Sequence, residues 1–272
     1  MPASTPPIVS DEDVSAFQAH GVIVLRQVFN AWIEALQAGV RDLMDHPSPL
    51  ERSVIPADGS APFFQDLCNW QRIPQFRQFV FESSAAQIAA RLMQSHSARF
   101  FHDHVLVKQP GSSTVTPWHQ DQPYYCVEGL QSVSFWIPLD PVSKQVAMEC
   151  VRGSHAWGKQ FRPMRFNGTR LYPNDTFEQM PDIEAMRSEL DIATWDLQPG
   201  DAIAFSFRTV HGAPANVSAR SRRVFSARWV GDDAVYADRG AKGSPPFTGL
   251  TLRDGDPFEA SIFPRIYPAA TE

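Results

Sequence analysis

Short apolar segments separated by turn residues fill the second half of this 272-residue chain. From Arg99 onward, β-branched and aromatic residues recur in short runs, which is typical of β-strands. Pro110-Gly111, Pro199-Gly200-Asp201 and Gly212-Ala213-Pro214 mark turns between several of these runs. The predicted strands are Phe101–Lys108, Ser132–Leu139, Met148–Val151, Thr194–Leu197, Ala202–Phe207 and Arg223–Val230. Many short strands after a helical part favour an antiparallel sandwich or barrel. We therefore expect a mainly β protein with flanking helices around a cupin-like jelly roll, which encloses a pocket between its sheets.

Helical patterns occupy the first part of the chain. The predicted elements there are a helix over Val14–Ala19 capped by Ser10, a strand over Val22–Val28, and helices that begin at Asn30 and at Ser83 or Ser84. We expect one domain over residues 1–272, with a helical part at about 10–98, a jelly-roll core at about 99–232 and a C-terminal tail at 233–272. The irregular segment 161–190 interrupts the core, and we expect it to be a lid over the pocket mouth because long loops in compact domains are often lids.

Composition and charge argue against several classes of function. The net charge is −6 and the Lys and Arg residues are dispersed, whereas a nucleic-acid-binding protein would show a basic patch. No apolar run reaches the roughly 18 residues of a membrane-spanning helix, and Met1–Val14 lacks the basic and apolar regions of a secretory signal. Cys68, Cys126 and Cys150 lack metal-type spacing and indicate reduced thiols in a cytoplasmic protein. A position in a pocket wall is the alternative for Cys126.

His119 and Asp121, together with the distant His211, have the spacing of a two-histidine, one-carboxylate metal site. In an extended strand, residues two apart point to the same face, so the side chains of His119 and Asp121 should project together while Trp118 faces away. His211 follows a predicted strand and would supply the third ligand. Nitrogen and oxygen donors without thiolate favour Fe(II), or Mn and Co substitutes, over structural zinc. Such a site leaves positions open for oxygen and a co-substrate.

A second histidine pair, His102 and His104, lies on the predicted strand Phe101–Lys108. Both histidines share a face with Lys108, but no carboxylate does, because Asp103 points to the other face. We interpret this face as pocket lining, with His104 and Lys108 near a bound anion. A satisfied interior histidine is the alternative for both His102 and His104.

An open iron site needs a source of electrons, and 2-oxoglutarate is the commonest one. Its distal carboxylate needs a cation, and arginine supplies bidentate geometry. Arg222 is the candidate, with Arg220 and Arg223 as alternatives, because alternation along the strand does not tell which face is inward. Trp136 lies opposite the apolar face of its strand, beside small polar residues. We expect it either in the pocket wall or packed against an outer helix.

Taken together, these residues resemble the phytanoyl-CoA dioxygenase family of Fe(II)- and 2-oxoglutarate-dependent oxygenases. The resemblance covers roughly residues 12–232, and its ordered motifs are Val107–Gly111, Thr116–Asp121, Trp136–Asp140, Gly153–His155, Pro199–Asp201 and His211-Gly212 with Arg222. It implies a double-stranded β-helix. The iron ligands that it implies are His119, Asp121 and His211. It also implies that Arg222 binds the distal carboxylate of 2-oxoglutarate, and that Lys108 and Trp136 line the co-substrate site.

The sequence departs from the family pattern at two places. Ala213 stands where the family often has serine, and Lys144–Met148 replaces a frequent Glu-Asn-Gly turn. Asp121 is retained, whereas related halogenases have a small residue at that position. The resemblance therefore implies hydroxylation as the reaction.

The resulting prediction is an Fe(II)/2-oxoglutarate-dependent dioxygenase that hydroxylates a small molecule, with Fe(II), 2-oxoglutarate and O2 as its cofactors. Two alternatives stay open. One is a non-catalytic cupin-like protein that binds a metal or a small acid, and the other is a zinc- or manganese-dependent hydrolase or isomerase. We expect no nucleic-acid or membrane partner. The sequence does not identify the primary substrate or the oligomeric state, although the dispersed basic residues argue against a CoA ester.

Overall fold

The computed structural model describes residues 8–269, so the predicted absence of a secretory signal rests in part on residues outside this range. The helices are α1 (Asp11–His20), α2 (Ile33–Asp45), α3 (Pro74–Glu82) and α4 (Ala85–Met93). Within the described range, none of them has the length and apolar character needed to span a bilayer. The strands are β1 (Val22–Leu25), β2 (Phe63–Leu67), β3 (Ala98–Lys108), β4 (Thr116–His119), β5 (Val127–Glu128), β6 (Ser132–Pro138), β7 (Glu149–Val151), β8 (Ile192–Ala193), β9 (Ala202–Phe205), β10 (His211–Ala213), β11 (Arg222–Val230), β12 (Val235–Tyr236) and β13 (Arg265–Tyr267).

The first helix begins and ends as its sequence predicts. The Ser10 hydroxyl accepts a hydrogen bond from the backbone N–H of Asp13, and the Asp13 carboxylate accepts one from the backbone N–H of Ser10, which is a capping box. Gly21 ends the helix in the left-handed conformation, with φ at 70°. The following strand stops at Leu25 and does not reach Val28 as predicted, because the chain turns at Gln27, whose φ is 57°.

The remaining helices differ from the prediction in their starts and in their number. Asn30 begins a 3₁₀ turn, and α2 starts only at Ile33. Ser84 precedes α4, but its side chain makes no capping hydrogen bond. Helix α3 was not predicted. It has Pro74 in its first turn, where a backbone N–H would have no hydrogen-bond partner within the helix, and it buries Phe79.

Two antiparallel sheets form the core, as predicted for a cupin-like jelly roll. The larger sheet has seven strands in the order β1-β9-β6-β11-β3-β13, with β2 also paired to β3. The smaller sheet has the order β4-β10-β7-β8, and β5 pairs separately with β12. Because β1 pairs with β9 and β13 with β3, both ends of the described chain are tied into the larger sheet.

The larger sheet has one face toward the helices and one toward the smaller sheet. The residues that pack with the helices include Val133, Phe135, Ile137, Phe225, Ala227 and Trp229. The alternate residues Trp136 and Val224 belong to a second apolar cluster, which also contains Cys150 of the smaller sheet. Strand alternation therefore predicts the two faces of β6 correctly, and the structure places Trp136 on the inner one.

One predicted strand was wrong, and several of the observed strands were not predicted. Thr194–Leu197 is not a strand, since the paired residues are Ile192–Ala193 and Leu197 makes only a single bridge with Val142. The carboxylate of Asp196 in this segment accepts a hydrogen bond from the backbone N–H of Lys144. A side-chain contact therefore helps to hold the segment, which lacks the continuous backbone hydrogen bonds of a strand. The strand Phe63–Leu67 was not predicted, and it pairs with β3 over its whole length.

All three cysteines are free thiols, as expected. Cys150 is buried between the two sheets, while Cys68 and Cys126 are half-buried. Cys126 packs against an apolar cluster around Phe101 and does not line the large cavity described below, so the pocket-wall alternative for it was wrong.

Candidate metal centre

Strand pairing in the smaller sheet brings the two distant histidines together. His119 ends β4 and His211 begins β10, and the two residues are direct partners in the antiparallel ladder. Their ring centroids are 4.2 Å apart. The sheet topology therefore joins positions that are far apart in the chain.

Asp121 reaches the same point by a turn and not by strand alternation. Strand β4 ends at His119, and Asp121 has helical φ and ψ (−71° and −42°) at the start of the 3₁₀ turn Gln122–Tyr124. The predicted convergence of the two side chains is correct, but its predicted cause was wrong. The Nε2 atoms of His119 and His211 lie 3.6 Å and 3.8 Å from Asp121 Oδ1.

The three side chains fit a single transition-metal ion. One donor atom from each lies within 4.8 Å of the other two, and such metals bind imidazole and carboxylate donors at about 2.0–2.2 Å. The Nδ1 of His119 lies 2.8 Å from the Pro117 carbonyl oxygen, and that of His211 lies 2.9 Å from the Thr209 carbonyl oxygen. With Nδ1–H donating to these carbonyls, each Nε2 keeps its lone pair for a metal.

Burial sets the charge states that metal binding requires. It lowers the pKa of His211 to about 3, with a further contribution from His119, so that the imidazole is neutral. For Asp121, burial alone would oppose ionisation. The cation of Arg228 and the neighbouring histidines outweigh it and hold the pKa of this carboxyl well below its usual range. Neutral imidazoles and an ionised carboxylate are the forms that bind metals.

The second oxygen of Asp121 is held by a buried polar group from the larger sheet. Asp121 Oδ2 lies 3.3 Å from Arg228 Nε and 3.3 Å from the Ser134 hydroxyl. Arg228 Nε also contacts the Tyr125 hydroxyl at 2.5 Å. These contacts leave Oδ1 directed at the two histidines. The sequence did not single out Arg228, although its position six residues after Arg222 places both on one face of β11.

A cavity of about 1080 Å³ opens onto the metal site. The residues that line it on the larger sheet include His104, Leu106, Trp136, Arg222, Val224, Ser226 and Arg228. The segment between β7 and β8 also contributes to the wall, through Arg162–Leu171 and Gln179–Ile183. The segment that we expected to be a lid therefore borders the cavity.

Arg222 faces this cavity, whereas the two alternative arginines, Arg220 and Arg223, do not line it. Arg223 points the other way and forms an ion pair with Asp140, with an Nη2–Oδ1 distance of 2.6 Å, and Arg220 is exposed. Arg222 is buried, and its guanidinium carbon lies 5.9 Å from the centre of the Trp136 ring. Burial lowers the pKa of Arg222 to about 10, so it remains a cation at neutral pH.

Arg222 has no carboxylate partner among residues 8–269, although its Nη1 donates to the Val146 carbonyl oxygen. Val146 belongs to Lys144–Met148, one of the two places where the sequence departs from the family pattern. Ala213, the other departure, lines the cavity with a methyl group where a hydroxyl would otherwise stand. Within residues 8–269, Arg222 is thus a cavity cation without a carboxylate counter-ion.

Lys108 and the histidine pair lie in different surroundings. Lys108 is fully buried, does not line the cavity, and donates from Nζ to the carbonyl oxygens of Ala213 and Pro214 at 3.3 Å and 3.0 Å. It therefore holds the segment that follows His211 instead of facing a bound anion. His104 lines the cavity, and its Nε2 is buried without a partner among the described residues. His102 does not line the cavity and packs against the rings of Phe101 and Tyr125.

Comparison with known proteins agrees with this geometry. The sequence profile described as phytanoyl-CoA dioxygenase (PhyH) matches residues 17–224. A search of curated protein sequences gave no significant match.

Several solved structures share the fold over nearly the whole chain. The non-heme alpha ketoglutarate dependent carbocyclase SnoK from nogalamycin biosynthesis has 23% identity and a TM-score of 0.74, covering 95% of this chain and 96% of that one. The epimerase SnoN from nogalamycin biosynthesis has 22% identity and a TM-score of 0.72, covering 93% and 96%. EctD from S. alaskensis, solved with 2-oxoglutarate and 5-hydroxyectoine, has 16% identity and a TM-score of 0.69, covering 94% and 87%. At these identities the similarity establishes the fold.

Proposed function

The chain belongs to the phytanoyl-CoA dioxygenase family, and on that basis we propose that it is an iron(II)- and 2-oxoglutarate-dependent oxygenase acting on a small molecule. The observation that carries this proposal is the position of two sites in one cavity. The His119–Asp121–His211 cluster, in which Asp121 and His211 are buried, and the buried guanidinium of Arg222 both line it. A metal site and a separate carboxylate site are what a chelating dicarboxylate co-substrate requires.

His119 Nε2, His211 Nε2 and Asp121 Oδ1 would hold the iron. Three protein donors leave positions of a six-coordinate ion for a co-substrate and oxygen. When bound, iron(II) and 2-oxoglutarate supply the oxidising chemistry, in which O2 is consumed, 2-oxoglutarate is converted to succinate and carbon dioxide, and one oxygen atom becomes available to the substrate.

The protein's own residues bind and orient the reactants. Arg222 would form a bidentate pair with the distal carboxylate of 2-oxoglutarate, with Trp136 and Val224 as apolar walls. Arg228 and Ser134 hold Asp121 Oδ2 so that Oδ1 is the oxygen available to the metal. Lys108 fixes the backbone just after His211. The apolar inner wall limits water near the site.

We propose hydroxylation as the outcome for the primary substrate. Asp121 occupies the carboxylate ligand position, and a small residue there would be needed to leave room for a halide. The carbocyclase and the epimerase that share the fold act in nogalamycin biosynthesis, so product analysis is needed to separate hydroxylation from ring closure or epimerisation.

Succinate formation tests the proposal. The purified protein, loaded anaerobically with Fe(II), is mixed with 2-oxoglutarate and O2, and succinate is measured by mass spectrometry with and without panels of small acids and amines. We expect O2-dependent succinate that His211→Ala abolishes and that His46→Ala, at an exposed histidine, leaves unchanged. Metal binding without succinate would indicate a binding protein, and turnover without O2 would indicate a hydrolase or isomerase.

A further inference from the structure

Cations from three distant parts of the chain line the mouth of the cavity. Arg52 precedes β2, Arg165 and Arg170 lie between β7 and β8, and Lys242 follows β12. All four side chains line the cavity and all four residues are exposed. The chain has a net charge of −6, so this concentration of positive charge runs against its overall charge.

These four cations lack acidic partners. Among residues 8–269, no carboxylate lies within 4 Å of any of them, whereas Arg162 on the same wall is paired with Asp175 at 2.8 Å. Ion pairs elsewhere on the protein include Arg26–Asp201, Lys159–Glu178, Arg187–Glu149 and Arg239–Glu128. The part of the chain that the structure describes thus leaves the positive charge at the cavity mouth without an ion-pair partner.

The acidic residues of the cavity lining do not neutralise the mouth. Among the described residues, they are Asp121 and Asp182. Asp121 lies at the metal site and contacts Arg228. Asp182 accepts a hydrogen bond from the backbone N–H of Ala185. Positive potential in a low-dielectric cleft attracts anions, and cleft geometry strengthens the effect.

Apolar side chains stand beside the cations. Met164 is 40% exposed and Phe166 is 43% exposed, and both line the cavity. The Phe166 ring lies 5.8 Å from the buried ring of Phe63, in an edge-to-face arrangement that extends the apolar surface inward. Exposed apolar side chains at a cavity mouth mark a surface for binding.

We propose that the primary substrate is an amphiphilic organic anion. Its acidic group lies among Arg52, Arg165, Arg170 and Lys242, and its apolar body passes Met164 and Phe166 toward the metal. The cavity volume, about 1080 Å³, slightly exceeds the roughly 300–1,000 Å³ of small-molecule sites, so the cavity can accept a substantial molecule in addition to a small dicarboxylate. This inference rests on the proposed function for the identity of the cavity as a substrate site.

Binding of two matched probes tests the charge requirement without iron or turnover. The anionic probe is 8-anilinonaphthalene-1-sulfonate, and the neutral probe is N-phenyl-1-naphthylamine, which lacks the sulfonate. Both are titrated by fluorescence into the purified protein. We expect tighter binding of the sulfonate, weakened by added salt. A failure of the proposed oxygenase chemistry would leave this result unchanged.

Charge-reversal variants locate the site. Arg170→Glu and Lys242→Glu should each weaken sulfonate binding roughly twofold to fivefold, on the scale of exposed ion pairs, and leave the neutral probe unaffected. The matched control is Arg253→Glu, at an exposed arginine outside the cavity lining. If a Glu variant also loses the neutral probe, the Gln substitution at that position gives the comparison without reversing the charge. Equal affinity of the wild type for both probes, or an equal loss in Arg253→Glu, would overturn the proposal.

Discussion

The buried ion pair between Asp121 and Arg228 offers the sharpest test of how the metal site is built. Each side chain is 6% exposed, and Arg228 Nε lies 3.3 Å from Asp121 Oδ2. Removing one partner leaves the other as an uncompensated buried charge, whereas removing both leaves neither. We therefore expect Asp121→Ala and Arg228→Met each to destabilise the metal-free protein by about 3–5 kcal/mol.

The double variant should be far less destabilised than the sum of the two single variants. The coupling energy expected for groups in direct contact is about 0.5–3 kcal/mol, and the complete burial of this pair places it toward the upper end. For a chain of this size, a change of 1 kcal/mol moves the melting temperature by roughly 2–4 °C, so each single variant should melt about 6–20 °C lower.

The assay is urea unfolding in the presence of a chelator, followed by circular dichroism. A matched control is the Arg223–Asp140 pair on the opposite face of the same strand, where side-chain exposure is 24% and 16%. Its cycle of Arg223→Met and Asp140→Ala should give a smaller coupling energy than the cycle of the buried pair, because this pair is more exposed to solvent. Additive effects of Asp121→Ala and Arg228→Met would refute the conclusion that Arg228 compensates the buried carboxylate.

Three further predictions concern the metal, the co-substrate and pH. Co(II) at about 100 times its dissociation constant should stabilise the protein by about 2.7 kcal/mol in urea unfolding; His211→Ala should lose this gain, and an equal gain in that variant would contradict the ligand assignment. Arg222→Leu should raise the Kd of 2-oxoglutarate at least about thirtyfold by calorimetry on the Co(II)-loaded protein, while the exposed Arg220→Leu should not. Burial, together with Arg222, lowers the pKa of Lys108 from 10.5 to about 6. Between these two pH values the unfolded chain binds more protons than the folded protein. The free energy of unfolding should therefore rise with pH from about 6 to about 10. Lys108→Met should remove this component in urea unfolding across the same pH range, and an unchanged slope would show that Lys108 is protonated in the folded protein.

Local patterns in the sequence were sufficient for much of the fold. The capping box at Ser10 and the alternation along β6 depend on contacts between neighbours in the chain, so the sequence predicts them directly. The pairing of a histidine and a carboxylate two residues apart also predicts the metal site. It does so even though Asp121 lies in a turn, because both a strand and this turn bring it beside His119.

Long-range packing decided what the sequence left open. Alternation shows that Arg222 and Arg223 face opposite ways, but only the helices packed on the outer face determine which one is inward. Lys108 lies directly opposite Arg222 in the ladder, yet its amine turns to the carbonyls after His211. The cations at the cavity mouth come from three separate segments of the chain, the first containing Arg52 and the last containing Lys242. The sequence therefore determines many of the helices and strands and which residues share a face of each. Which face of a strand becomes interior depends on the distant elements that cover it, because burial and charge pairing arise only when those elements pack together.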